Sequence, residues 1–257
     1  MKRFALLMAA SSLVLALGAC NQVEPEKEIR TESFTLPTSY RLEINTFNGS
    51  IHVSEGEGPQ VIVVATISQP KQLTYDARVE GDTLKITAEV TEAHTTPSPG
   101  VTLNITAPPN AGLDLRSSNG RIAVEGVGTG GDIETSNGSI SLERVEGLYV
   151  VNTSNGRVVL SDVSGSFGVH TSNGSIQFDG RLDPDTNTLL RTSNGGITFI
   201  VGEDADVEID AETNSGDIEV AYPLDNATVS AEKVFGTLGT GSTKVRLRTA
   251  NGDINIR

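Results

Sequence analysis

Thr135-Ser136-Asn137-Gly138-Ser139-Ile140 returns eighteen residues later as Thr153-Ser154-Asn155-Gly156-Arg157-Val158, and again as Thr171-Ser172-Asn173-Gly174-Ser175-Ile176. The copy upstream is Ser117-Ser118-Asn119-Gly120-Arg121-Ile122, so Asn119, Asn137, Asn155 and Asn173 stand at three successive spacings of 18. A wider step leads to Thr192-Ser193-Asn194-Gly195-Gly196-Ile197. Beyond it lie the variant Thr213-Asn214-Ser215-Gly216-Asp217-Ile218 and the last copy, Thr249-Ala250-Asn251-Gly252-Asp253-Ile254. A fixed period of this length marks a repeat architecture. The gap of 36 between Gly216 and Gly252 reads as two repeats, one degenerate around Leu224–Ser242. An early copy, Thr46-Phe47-Asn48-Gly49-Ser50-Ile51, stands 71 residues ahead of the regular array and makes Glu55–Pro109 an insertion or capping part.

Around each copy the apolar residues alternate, as in Ile133-Glu134-Thr135 before the turn and Ile140-Ser141-Leu142 after it. Period two means strands. The insertion has the same habit in Val61–Ile67, Thr83–Val90 and Val101–Ala107, and no ten-residue window carries a helical period. The expectation is an all-β protein.

Two architectures compete. Glycines recur nine apart at Gly138, Gly147, Gly156, Gly165 and Gly174, and Asn-Gly between alternating strands is a strong hairpin signal. A meander of hairpins, however, makes one sheet whose apolar face needs a second layer, and the sequence supplies no amphipathic helix to cover it. A β-solenoid closes on itself, each coil placing strands on opposing faces whose Val, Ile and Leu side chains meet inside. It is the favoured reading. Its turn residues are Asn119 and Gly120, Asn137 and Gly138, Asn155 and Gly156, Asn173 and Gly174, Asn194 and Gly195, and Asn251 and Gly252. Stacked asparagines would form amide ladders, with glycine supplying a φ > 0 corner. Seven or eight coils about 4.8 Å apart make a rod roughly 35 Å long. Exposed strand ends need protection. The insertion would fold over the first coil, and Lys244, Arg246 and Arg248 would guard a terminal strand at the other end.

The first nineteen residues open on Lys2 and Arg3, run through the apolar stretch Phe4–Ala16 and close on Leu17-Gly18-Ala19 before Cys20. That order is a secretory signal peptide, too short to span a bilayer. The Leu-Gly-Ala-Cys ending resembles the lipobox of bacterial lipoproteins, which implies a lipid on Cys20, with Asn21 after it suggesting outer-membrane sorting. Cys20 is the only cysteine, so no internal disulfide is expected. Residues 20–32 read as a lipidated flexible tether, 33–110 as an N-terminal strand and capping part, and 111–257 as the Asn-Gly repeat. The net charge of −14 becomes −16 without the signal peptide, with 17 Lys and Arg against 33 Asp and Glu. Nucleic acid is therefore not an expected partner. The partners expected are a membrane, through the lipid, and a protein or cell-surface partner of unknown identity. The lipid-anchored chain is placed in the cell envelope, at the outer membrane, with its side unresolved.

Catalysis needs an acid, base or nucleophile in mutual reach. His52, His94 and His170 are isolated in sequence, and no Gly-x-Ser-x-Gly or His-Glu-x-x-His motif occurs. The carboxylate pairs Asp204 with Asp206 and Glu208 with Asp210 fall at i, i+2, but nothing marks one pair above the others. Gly131-Asp132-Ile133, Gly216-Asp217-Ile218 and Gly252-Asp253-Ile254 are irregularly placed fragments of a calcium repeat, without the recurrent aspartate. No enzyme, cofactor or metal is expected. Trp is absent, which removes the flat platform of most sugar sites, and Tyr40, Tyr75, Tyr149 and Tyr222 are expected at strand ends with hydroxyls in solvent.

The run Ile105-Thr106-Ala107-Pro108-Pro109-Asn110-Ala111-Gly112-Leu113-Asp114-Leu115, leading into successive Ser-Asn-Gly-x-Ile copies, resembles the bacterial putative-adhesin family of β-strand-repeat proteins. That family is related to autotransporter adhesin head domains and to toast-rack domains. The likeness covers residues 40–257. It implies a right-handed, single-stranded β-solenoid (a parallel β-helix) on envelope-anchored proteins, and no catalytic residues; the repeat spacings give coils of 18 to 21 residues. The functional expectation is a lipid-tethered, adhesin-like module for binding or structural support. An envelope-stress sensing or regulatory accessory protein is the alternative, and a polysaccharide-active enzyme on a β-helix is a third reading.

Overall fold

The computed structural model describes residues 26–91, 98–202 and 205–257. Cys20 and the expected signal peptide before it, His94 and Asp204 lie outside the described residues. The N-terminal third holds β1 (Lys27–Thr35), β2 (Tyr40–Asn48), β3 (Ile51–Glu55), β4 (Gln60–Ser68), β5 (Leu73–Glu80), β6 (Thr83–Val90) and β7 (Gly100–Ala107). The regular repeats supply β8 (Ala111–Asn119), β9 (Ile122–Glu125), β10 (Gly130–Asn137), β11 (Ile140–Glu143), β12 (Glu146–Asn155) and β13 (Val158–Asn173). They continue through β14 (Ile176–Leu182), β15 (Asn187–Asn194) and β16 (Ile197–Ile200). The chain ends with β17 (Val207–Ser215), β18 (Ile218–Val220), β19 (Asp225–Val229), β20 (Lys233–Leu238), β21 (Thr243–Asn251) and β22 (Ile254–Ile256).

These strands form two facing surfaces. One runs β6, β2, β8, β10, β12, the second half of β13, β15, β21, β17, every neighbour parallel. The other runs β7, β3, β9, β11, the first half of β13, β14, β16, β22, β18, again all parallel. The long strand β13 passes from one face to the other, so each layer is one strand from each face. Period-two alternation sends Ile133, Ile140, Leu142, Val151, Val158 and Leu160 inward, all buried. Each such side chain contributes about 1.5–3 kcal/mol on burial. Asn137 pairs Asn155 and Asn155 pairs Asn173 in register. Parallel pairing at that offset excludes the hairpin meander.

Four expectations change. First, the stretch around Leu224–Ser242 is not a degenerate copy: β19 and β20 form an antiparallel hairpin, and β20 lies antiparallel on β17. Secondly, the layers are not stacked in chain order. The last copy returns between two earlier ones, Asn251 aligning with Asn194 on one side and Ser215 on the other. Lys244, Arg246 and Arg248 therefore sit on a strand paired along both sides and guard no edge; β19 and β20 cover that end.

Thirdly, the Glu55–Pro109 insertion contributes a layer of its own, β6 and β7 stacking outside β2 and β3, before antiparallel β5, β4 and β1 close the end. The described residues thus make nine layers, more than the Asn-Gly count suggested, because this layer carries no Asn-Gly. Fourthly, the glycine of the motif is not uniformly a left-handed corner. Gly49, Gly195 and Gly252 have φ of 126°, 152° and 150°, but Gly120, Gly138, Gly156 and Gly174 lie outside the left-handed range. The left-handed corner falls six residues later, a third of a period on, where Gly126, Arg144 and Asp162, eighteen apart, take φ of 67°, 51° and 52°.

Candidate functional site

The recurrent tetrapeptide assembles into three columns along one edge of the stack. On the outside, Asn119, Asn137, Asn155, Asn173, Asn194 and Asn251 each donate an Nδ2 hydrogen bond to the Oδ1 of the neighbouring layer's asparagine, at 2.8 to 3.0 Å. The ladder begins at Asn48, whose own Nδ2 donates to the Pro99 carbonyl at 3.0 Å. All amides point the same way, and bonds in such a chain polarise one another.

Inside the asparagines runs a column of glycines. A Cβ on Gly120, Gly138, Gly156 or Gly174 would meet the preceding layer's glycine carbonyl oxygen at 1.8 to 2.0 Å. Close approach of backbone to backbone, not left-handed conformation, requires glycine there.

The third column is made of threonines, which the alternation of apolar residues does not point to. Thr135, Thr153 and Thr171 point inward with the core residues, and their hydroxyls donate to the carbonyls of Gly120, Gly138 and Gly156 at 3.0 to 3.1 Å. Thr192, Thr213 and Thr249 do the same to Gly174, Gly252 and Gly195. A buried hydroxyl without a partner costs free energy; for these six threonines the partner is one layer away, while the buried Thr46 hydroxyl of the early copy has none among the described residues. The signal in the sequence is a polar residue repeating at an inward phase.

Within the core, Tyr149, Phe167, Phe178 and Phe199 form an aromatic column with centroid separations of 5.9, 5.4 and 5.2 Å. Tyr149 is fully buried, contrary to the strand-end expectation, and its hydroxyl has no well-formed hydrogen bond. Burial pushes its pKa up to about 12, the Gly130 backbone pulling the other way. Tyr149→Phe is therefore expected to raise stability by about 1 kcal/mol, since it deletes a buried polar atom that lacks a well-formed hydrogen bond and keeps the ring. Urea denaturation checks this; a loss of similar size would show that the hydroxyl is partnered. Tyr40 is buried too, its hydroxyl donating to the Pro108 carbonyl at 2.7 Å.

The candidate acid–base groups do not converge. His52 lies half-buried on β3 and His170 exposed on β13, on opposite faces. Asp210 is ion-paired with Arg248, which also lies 3.7 Å from Glu212. Among the described residues no group of three His, Cys, Asp or Glu could hold a metal ion.

Asp206 is anchored instead by the loop before β21. Its carboxylate accepts from the Thr240 hydroxyl at 2.8 and 3.0 Å, the Gly241 amide at 2.6 Å and the Ser242 amide at 3.3 Å. The Thr240 hydroxyl foremost, with Ser242 and the Gly241 amide and against a desolvation cost, holds its pKa at about 2. A depressed carboxyl pKa stabilises the fold above the unfolded value and loses that contribution as pH falls toward the folded one. The contribution is thus complete at neutral pH and is lost between about pH 4 and about pH 2. Asp206→Asn is expected to flatten the melting temperature against pH across that window; a profile parallel to the unaltered chain's would contradict it.

A family model matches residues 110–257, from just before β8 to the last residue. The chain belongs to the Toastrack DUF4097 family. The toast-rack match begins where the regular copies begin, and the β1–β7 region precedes it. A search of curated proteins finds no match. Among solved structures, a putative cell adhesion protein from Clostridium sporogenes is 13% identical, the match covering 91% of this chain and 99% of that one, with a TM-score of 0.42. A putative adhesin from Bacteroides fragilis is 10% identical over 91% and 99%, at 0.48. A putative lipid binding protein from Parabacteroides distasonis is 12% identical over 89% and 96%, at 0.40.

Proposed function

We propose that this toast-rack chain is a non-catalytic, envelope-anchored lipoprotein. A lipid on Cys20 would hold a right-handed β-solenoid, with coils of 18 to 21 residues, beside the outer membrane for adhesin-like binding or structural support. The observation that carries the reading is how the repeated residues are used. Thr, Asn and Gly of the regular copies engage the adjoining layers, and the side chains left facing solvent stand in straight rows along each face. Rows suit a surface that is recognised by contact. The tether rests on the signal peptide and its Leu-Gly-Ala-Cys ending. Two or three acyl chains would make a durable anchor.

The test is cross-linking in intact cells followed by fractionation, comparing the unaltered chain with Cys20→Ser. The unaltered chain is expected in the membrane fraction with a defined set of neighbours, and the variant in the soluble fraction without them. A variant that stays with the membrane and captures the same neighbours would overturn the tether.

A further inference from the structure

At one corner of the stack a column of core side chains lapses. Val127, Val145 and Val163, eighteen apart, are buried where the regular layers turn from one face to the other. In the next layer the register steps past Asp162 and sets Gly180 opposite Val163. No side chain can take the valine's place there, because a Cβ on Gly180 would lie 2.2 Å from the Val163 carbonyl oxygen. Nor does the following layer close the gap, since β21 and β22 are inserted between β15 and β17 and between β16 and β18. A cavity of about 540 Å³ results, within the roughly 300–1,000 Å³ of small-molecule sites.

Its inner wall is apolar: Val201 and Val207 are buried, and Leu182 and Ala205 stand half-buried beside them. The polar groups of the lining are mostly engaged within the chain. Thr243 donates its hydroxyl to the Asp183 carbonyl at 2.9 Å, and the Asp206 carboxylate accepts from Thr240, Gly241 and Ser242. Arg181 is the exception. It is exposed on the same lining and, among the described residues, forms no ion pair. We infer that this cavity is a binding site for an unbranched aliphatic monocarboxylate, the chain lying against Leu182, Val201, Ala205 and Val207 and the carboxylate on the Arg181 guanidinium. A wall of aliphatic side chains with no polar partner to offer selects an aliphatic occupant. The planar donor fork of an arginine selects the carboxylate. With the Asp206 charge met by three donors, Arg181 is the unmatched charge of the lining, so the ligand supplies one negative group and no positive one.

Titration calorimetry of the full chain carrying Cys20→Ser with sodium decanoate, in detergent-free buffer, tests this. Saturable binding of one decanoate per chain is expected. Octanoate, two methylenes shorter, should bind about tenfold more weakly, because each methylene withdrawn from water adds to the affinity. Ala205→Phe fills the cavity and should abolish binding. Arg181→Gln should weaken decanoate about tenfold and leave the weaker binding of uncharged decanol unchanged. That variant alters an exposed side chain, so it tests the carboxylate end even if Ala205→Phe fails to fold. The inference is overturned if decanoate does not saturate, if chain length has no effect on affinity, or if a folded Ala205→Phe binds as the unaltered chain does. Decanol binding as tightly as decanoate, or an equal effect of Arg181→Gln on the two, would overturn the carboxylate.

Discussion

Gly156→Ala is expected to destabilise the stack by about 3 kcal/mol or more. The added methyl would lie 1.8 Å from the Gly138 carbonyl oxygen, a backbone atom that no rotamer change can move aside. Nor can the layers part to admit it. The Gly156 amide donates to Asn173 at 3.1 Å and the Ile140 amide to Arg157 at 3.0 Å, so the neighbouring layers are bound on both sides of the column. Gly112→Ala is the control. It too replaces a strand glycine, but its nearest neighbour, the Tyr40 carbonyl oxygen, lies at 3.8 Å, an ordinary contact. That change is expected to shift stability by less than about 0.5 kcal/mol, or to raise it slightly by stiffening the unfolded chain. Chemical denaturation midpoints decide. Equal effects at the two sites would mean that the glycine column is not held by close approach.

Phe178→Ala should cost about 4 kcal/mol. Phe178 sits between Phe167, edge-on at 5.4 Å, and Phe199, stacked at 5.2 Å, so its removal breaks the aromatic column in two places. Sites differ in how far they collapse around a cavity, and this one is poorly able to. Layer spacing is fixed by parallel backbone pairing at Phe178 with Leu160 on one side and Phe199 on the other. Phe178→Leu retains most of the volume and is expected to recover most of the loss. If alanine and leucine cost the same, the ring-to-ring contacts would carry the stability and cavity volume would not.

Much of this arrangement was legible in the chain. The repeats set the phase at which Asn119, Asn137, Asn155 and Asn173 align, and alternation identified inward residues such as Ile133, Ile140 and Leu142. The order of the layers was not legible. Copies that share one motif and one set of inward aliphatic side chains are interchangeable as stacking partners, so spacing cannot tell whether the copy at Asn251 lies beyond the one at Ser215 or before it. The intervening hairpin decides: β20 covers β17 and leaves the slot beside β15 for β21. Misplacing that layer also made an edge device of Lys244 and Arg246, which lie on an interior strand. The threonine column was hidden for a different reason: the residue repeats at an inward phase, but its partner is a main-chain carbonyl, which no side-chain pattern reveals. Cys20 belongs to a part of the chain that only the sequence addresses.

The stacking of the eighteen-residue copies is tested most directly by one distance. Spin labels at Arg116 and Arg191, both exposed on the same outer row, would be separated by four layer steps. At about 4.8 Å per step the label-to-label distance distribution from pulsed electron resonance should centre near about 19 Å. A meander of hairpins spaces successive copies two strand steps apart and would give about 38 Å. A distribution centred at the longer distance would contradict the stacked arrangement, and with it the roles of the asparagine, glycine and threonine columns.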